Sequence, residues 1–169
     1  MRLLGLDPGL QRTGWGVIVI QGNAIHFHAA GVVASDPRSP LASRLDALYR
    51  GLDEVVNEHR PDAAAVEETV INKNAASSLK LGQARGVVLL AAAHAGLPVT
   101  EYASKTVKRA VVGTGGAQKQ QVTMMVRTLL PSSDPVSGDA ADALAVALCH
   151  AHYHTTQTRL GLSAAEMAR

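Results

Sequence analysis

Two short apolar runs, "RLLGLD" at 2–7 and "DAAAVEE" at 62–68, place the tightest constraint on the fold. Each reads as a strand, and each ends in carboxylates: Asp7 closes the first, Glu67 and Glu68 the second. In α/β sheets, sites lie beyond the carboxyl ends of strands. If the two runs are parallel neighbours, their carboxylates meet. Side chains alternate across a strand, so only one of Glu67 and Glu68 can share the face of Asp7. Singly, each acid has an ordinary explanation. An Asp before Pro8-Gly9 opens a turn, and a Glu at a strand end is solvated.

The rest of the chain supplies elements around these two runs. "WGVIVIQ" and "AIHFHAAGVVA", separated by Gly22-Asn23, read as strands that extend the first into an antiparallel meander. From Leu41 to His59, apolar residues at 41, 45, 48, 52, 55 and 56 follow a helical period, and Pro61 stops the helix. After the fourth strand and a polar connection, a long helix runs from about residue 75 to Ala95, with Gly96 and Pro98 as stop signals. "PVTEYA" is a fifth strand, and two helices flank the loop "GTGG". A last helix begins near Asp139. The order predicts an α/β chain: a mixed five-stranded sheet covered by helices, one domain over 1–152 with a polar tail at 153–169. Trp15 and Phe27 are expected in the core. His150, His152 and His154 read as a helix end more readily than as a zinc site. "GTGGAQK" lacks the spacing of a nucleotide phosphate loop.

Charge narrows the function. Residues 73–127 carry eight basic side chains (Lys73, Lys80, Arg85, Lys105, Lys108, Arg109, Lys119 and Arg127) against one acid, Glu101, although the whole chain is only +2. A one-sign stretch of this length predicts a face for a polyanion. A binder of stacked single strands would carry more aromatic side chains; only one Trp, three Tyr and one Phe are present. An early Asp7-Pro8 argues against a signal-peptide core, and the lone Cys149 cannot form an internal disulfide, so a reducing, cytoplasmic setting is expected.

In the last helix, "SGDAADALAVALCH", Asp139 and Asp142 stand three residues apart, which puts their Cβ atoms about 5–6 Å from each other on one face. Capping would account for them alone. Gathered with Asp7 and a Glu, they would repel unless protons or cations joined them. Hard oxygen ligands suit Mg²⁺ or Mn²⁺, and two such ions form the usual clamp for phosphodiester displacement.

The segments "GLDPGLQRTGWGV", "AVEE", "NAASSLKLGQARGVVLLAAA", "VKRAVVGTGGAQKQQV" and "DAADALAVALCH" together resemble the RuvC family of bacterial Holliday-junction resolvases, in order from Met1 to about His152. The resemblance implies a ribonuclease-H-like fold, a homodimer, and resolution of four-way DNA junctions by paired symmetric nicks, with RuvA and RuvB as partners. It implies Asp7, Glu67, Asp139 and Asp142 as catalytic metal ligands, choosing Glu67 over Glu68, with Lys108 and Lys119 beside the scissile strand. Lys73, Lys80, Arg85, Lys105 and Arg109 are further candidates for DNA contact. Where several relatives carry a stacking aromatic, this chain has Val70, so Val70 or Ile71 would wedge without a π face. Alternatives are a RuvC-like nuclease acting on another nucleic acid, or a junction-binding protein without catalysis. An actin-like ATPase would need a second nucleotide-binding half.

Overall fold

The computed structural model describes residues 1–68, 74–133, 136 and 138–160, with side chains through 155. Three strands, β1 (Arg2–Asp7), β2 (Arg12–Gln21) and β3 (Ala24–Ala34), form the expected antiparallel meander. Helix α1 (Leu41–His59) leads to β4 (Ala63–Glu67), α2 (Ala75–His94) to β5 (Val99–Tyr102). Helices α3 (Ser104–Val112) and α4 (Lys119–Leu129) and a 3₁₀ turn (Pro131–Ser133) precede α5 (Gly138–Leu160). The sheet order is β3-β2-β1-β4-β5, with β4 parallel to both β1 and β5.

The sheet is covered on both faces, and strand parity decides which residue sees which layer. On one face, Leu3, Ile18, Ala63 and Ala65 pack against Val107 and Val111 of α3, Val122 and Val126 of α4, and the apolar length of α5. On the other, Leu4, Leu6, Val17, Ala64 and Val66 meet Leu52, Val55 and Val56 of α1 and Val88, Ala91 and Ala92 of α2. Trp15 packs on the second core and Phe27 on the first, both partly buried. The α1 residues at 48, 52, 55 and 56 are the buried ones, as the period predicts. Asn74 caps α2, its side chain accepting from the Ser77 N–H at 3.1 Å, and Gly96 at φ 72° lets the chain turn away.

Helix α5 is the central element of the first layer. Ten of its residues between Ala140 and Ala151 are buried, on every side of the helix, which fits an apolar sequence with no solvent stripe. Its approach to the sheet is close because the strands below carry glycine: a Cβ on Gly5 would collide with the Ala143 carbonyl, one on Gly14 with the Asp139 carbonyl, and one on Gly16 with the Leu144 side chain. The polar stretch from Tyr153 continues the helix to Leu160. His150 and His152 accordingly lie within the helix rather than at its end. His150 Nδ1 is 2.9 Å from the Tyr102 hydroxyl, and His152 Nδ1 is 3.2 Å from the Ala110 carbonyl.

The close contact at Gly14 makes a stability prediction. Gly14→Ala forces α5 off the sheet and is expected to cost about 1–3 kcal/mol, in the range of core overpacking. Thermal denaturation followed by circular dichroism should show a Tm lowered by roughly 2–4 °C for each kcal/mol.

Candidate active site

Strand parity resolves the choice between Glu67 and Glu68. Leu3 and Gly5 face α5, so Asp7 does too; Ala63 and Ala65 face the same layer, so Glu67 follows them. The β1–β4 register, Leu3↔Ala63 through Leu6↔Val66, sets Asp7 beside Glu67 when continued by one residue. Glu68 is exposed, and its backbone N–H donates to the Tyr102 carbonyl at 2.8 Å.

These strand ends open into a cavity of about 230 Å³ lined by Asp7 and Glu67, by Ser104, Val107 and Lys108 of α3, by Lys119 and Val122 of α4, and by Asp142 and Ala145 of α5. Three of the four expected acids therefore share one space. Asp139 lies next to it. Its backbone rests on Gly14, the cross-strand partner of Asp7, and its charge acts on Asp7.

The electrostatics follow from this crowding. Burial, then the neighbouring Glu67 and Asp142, push the Asp7 carboxyl up to about 7, with Lys119 opposing and Asp139 adding to the rise. Burial also raises Glu67, partly offset by a hydrogen bond from the Ser104 hydroxyl and by Lys108 and Lys119. Lys119 Nζ lies 2.6 Å from Asp142 Oδ2, and that hydrogen bond raises the ammonium above its ordinary value. Arg12 Nε lies 2.6 Å from Asp139 Oδ2. Each α5 carboxylate is thus engaged by a cation. Among the described residues, no three acidic, histidine or cysteine side chains stand close enough as placed to make a ready metal cluster.

The remaining candidates are spread around the opening. Lys105 and Arg109 are exposed on α3, and Lys80 is exposed on α2. Arg85 is paired with Glu101 of β5, and its Nε is buried without a hydrogen-bond partner. Val70 and Lys73 lie outside the described residues. Cys149 is buried, and burial with the nearby Glu67 pushes its thiol up to about 12, which suits a packing role. Sequence reasoning missed Arg12 and Ser104. Ser104 reads as an ordinary helix-start residue, and nothing in "PGLQRTG" tells which distant acid an arginine in that turn will face.

The model of the family described as crossover junction endodeoxyribonuclease RuvC matches residues 3–150. The chain belongs to the RuvC family. A crossover junction endodeoxyribonuclease RuvC from Rhodospirillum rubrum is 59% identical over 165 residues, covering 98% of both chains. That from Agrobacterium fabrum is 56% identical over 152 residues, 90% of this chain and 89% of the relative. Among solved structures, Thermus thermophilus RuvC in complex with a Holliday junction substrate superposes with a TM-score of 0.86 at 38% identity, over 94% of this chain and 97% of that one. The yeast mitochondrial resolvase Ydc2 matches with a TM-score of 0.62 at 11% identity, a likeness of fold alone. The architecture is accordingly ribonuclease-H-like, and the protein is a nuclease of a family that depends on a divalent metal. Three carboxylates in one cavity, with Asp139 beside it, fit such a metal by donor chemistry, since hard cations take oxygen ligands. No helix among the described residues is long and apolar enough to cross a membrane.

Without metal, the buried like charges oppose folding. Asp7→Asn removes one of them at unchanged size, so the variant should melt several degrees higher than the parent in chelator at neutral pH, on the scale of about 2–4 °C per kcal/mol gained. Scanning calorimetry of both proteins in EDTA checks this; a lower Tm for the variant contradicts it.

Proposed function

We propose that the protein resolves four-way DNA junctions by paired symmetric nicks, hydrolysing phosphodiesters to 5′-phosphate and 3′-hydroxyl ends. The observation that carries the reading is the cavity shared by Asp7, Glu67, Asp142, Lys108 and Lys119 in a chain of this family. Asp7, Glu67, Asp139 and Asp142 would hold two ions, Mg²⁺ or Mn²⁺. Bound, these supply activation of the attacking water and stabilisation of the leaving oxygen.

The chain's own groups do the rest. Asp7 and Glu67 are fixed at the ends of paired strands, and the Ser104 hydroxyl orients Glu67. Lys119 is held protonated, which makes it a fixed positive charge for a phosphate oxygen rather than a general base. Lys108 offers a second cation on the same wall. Lys80, Lys105 and Arg109 supply exposed positive charge for backbone contact, with Val70 and Lys73 as further candidates on the connection before α2. Arg85 would first have to leave Glu101. A chain acting on bacterial recombination intermediates works in the cytoplasm.

Two nicks related by twofold symmetry call for a C₂ dimer. Helix α2 offers a face for it. Leu79, Gly82, Gln83, Gly86, Leu90 and Ala93 recur at helical spacing and are exposed, Leu79 by 66% and Leu90 by 48%. Nothing lies within 4 Å of a Cβ built on Gly82 or Gly86, so a second helix could approach closely there. Leu90→Glu should yield monomers by light scattering and uncouple the two nicks, leaving singly nicked junctions. A variant that stays dimeric removes α2 from the contact.

The activity itself is tested on a synthetic four-way junction with Mg²⁺ or Mn²⁺. Wild type should release nicked duplexes by symmetric cuts, and Asp7→Asn should bind the junction while losing roughly a hundred- to a thousandfold in rate, of the order seen when a charge-stabilising group is removed. A wild type that binds without cutting would instead favour the non-catalytic reading.

A further inference from the structure

Asp139 is the acid outside the shared cavity lining, and it is paired with Arg12. Arg12 opens β2 immediately after the turn that follows Asp7. Its Nε donates to Asp139 Oδ2 at 2.6 Å, with the Arg12 side chain 51% exposed and that of Asp139 33% exposed. The Asp139 backbone has little freedom, because it rests on Gly14 with no room for even a methyl group between them. Gly14 is in turn the register partner of Asp7. The helix therefore already holds the Asp139 main chain at the site, and what keeps the carboxylate with Arg12 is the side-chain pair. Asp139 is absent from the cavity lining that contains the other three acids.

We propose that Arg12 is a positioning residue that holds Asp139 as a resident counter-cation and competes with the divalent metal for it. Arginine suits this role: it stays charged at any physiological pH, and its planar fork fits a carboxylate. The pair is exposed enough to open at small cost, whereas an apolar residue at 12 would leave Asp139 facing the other acids with only the charge of Lys119, already paired with Asp142, to offset it. Metal entry at this carboxylate is an exchange of one cation for another. The inference rests on the reading of Asp139 as a metal ligand.

The test is calorimetric titration of the DNA-free, full-length protein with Mn²⁺. Arg12→Gln should bind Mn²⁺ roughly two- to fivefold more tightly than wild type, the range an exposed charge pair allows, and Arg12→Lys should return affinity toward the parent value. A purely structural role for Arg12 would lower Tm without tightening metal binding. Arg12→Gln with unchanged or weaker Mn²⁺ affinity, while Asp139→Asn weakens it, overturns the competition and leaves the ligand reading standing. Asp139→Asn with parental Mn²⁺ affinity removes the premise itself.

Discussion

The whole site depends on a helix backbone lying directly on a sheet. An ordinary helix rides above its strands on side chains; α5 instead meets β1 and β2 at Gly5, Gly14 and Gly16, where any larger residue would strike its main chain or Leu144. That contact places the first turn of α5 level with the ends of β1 and β4. Asp142 then opens into the same cavity as Asp7 and Glu67, and Asp139 rests beside Asp7 through Gly14. The alanines of α5 belong to the same design, since small side chains allow burial on all sides without lifting the helix. The candidate site is thus carried on rigid elements rather than on loops.

Such a site conflicts with folding, and its charge balance shows how the conflict is managed. Burial drives Asp7 and Glu67 toward their neutral forms, while the two α5 carboxylates keep cations at 2.6 Å. The four acids therefore use two different solutions: those on strands have desolvation and a hydroxyl, those on the helix have an arginine and a lysine. The difference follows from position. Strand ends are enclosed by α3, α4 and α5, whereas the start of α5 is reached by side chains from the β2 entry and from α4. Local rules are broken where function needs them broken, and the apolar layer along α5 compensates.

Much of this could be read from the sequence, for identifiable reasons. The elements were legible because their signals are local: the helical period of 48, 52, 55 and 56, Pro61 and Gly96 as stops, and Gly22 as a hairpin turn. The facing of Glu67 followed only once β1 and β4 were known to be parallel, because parity needs a partner. Helix α5 runs on into the polar stretch: residues 153–160 are polar, and polarity at a helix end does not by itself stop a helix lacking Gly or Pro. Arg85 illustrates the harder limit. A lysine or arginine in a basic stretch reads as free charge, but the single acid of that stretch, Glu101, takes it across the α2–β5 contact. Pairings between residues distant in the chain leave no periodic trace.

The same limit explains why Arg12 escaped notice although its neighbours did not. Asp7 is marked by the strand it ends, and Asp139 and Asp142 by their intrusion into an apolar helix. Arg12 breaks no pattern, since a cation in a turn is unremarkable. Its consequence appears only when β2 folds back in register on β1 and carries residue 12 past the end of Asp7's strand, to the place where α5 begins. A carboxylate site presented to a polyanion must avoid repelling its substrate, and fixed cations on the helix acids reduce that repulsion before any metal is counted. Arg12 and Lys119 are then part of how an acidic centre can lie within a basic face.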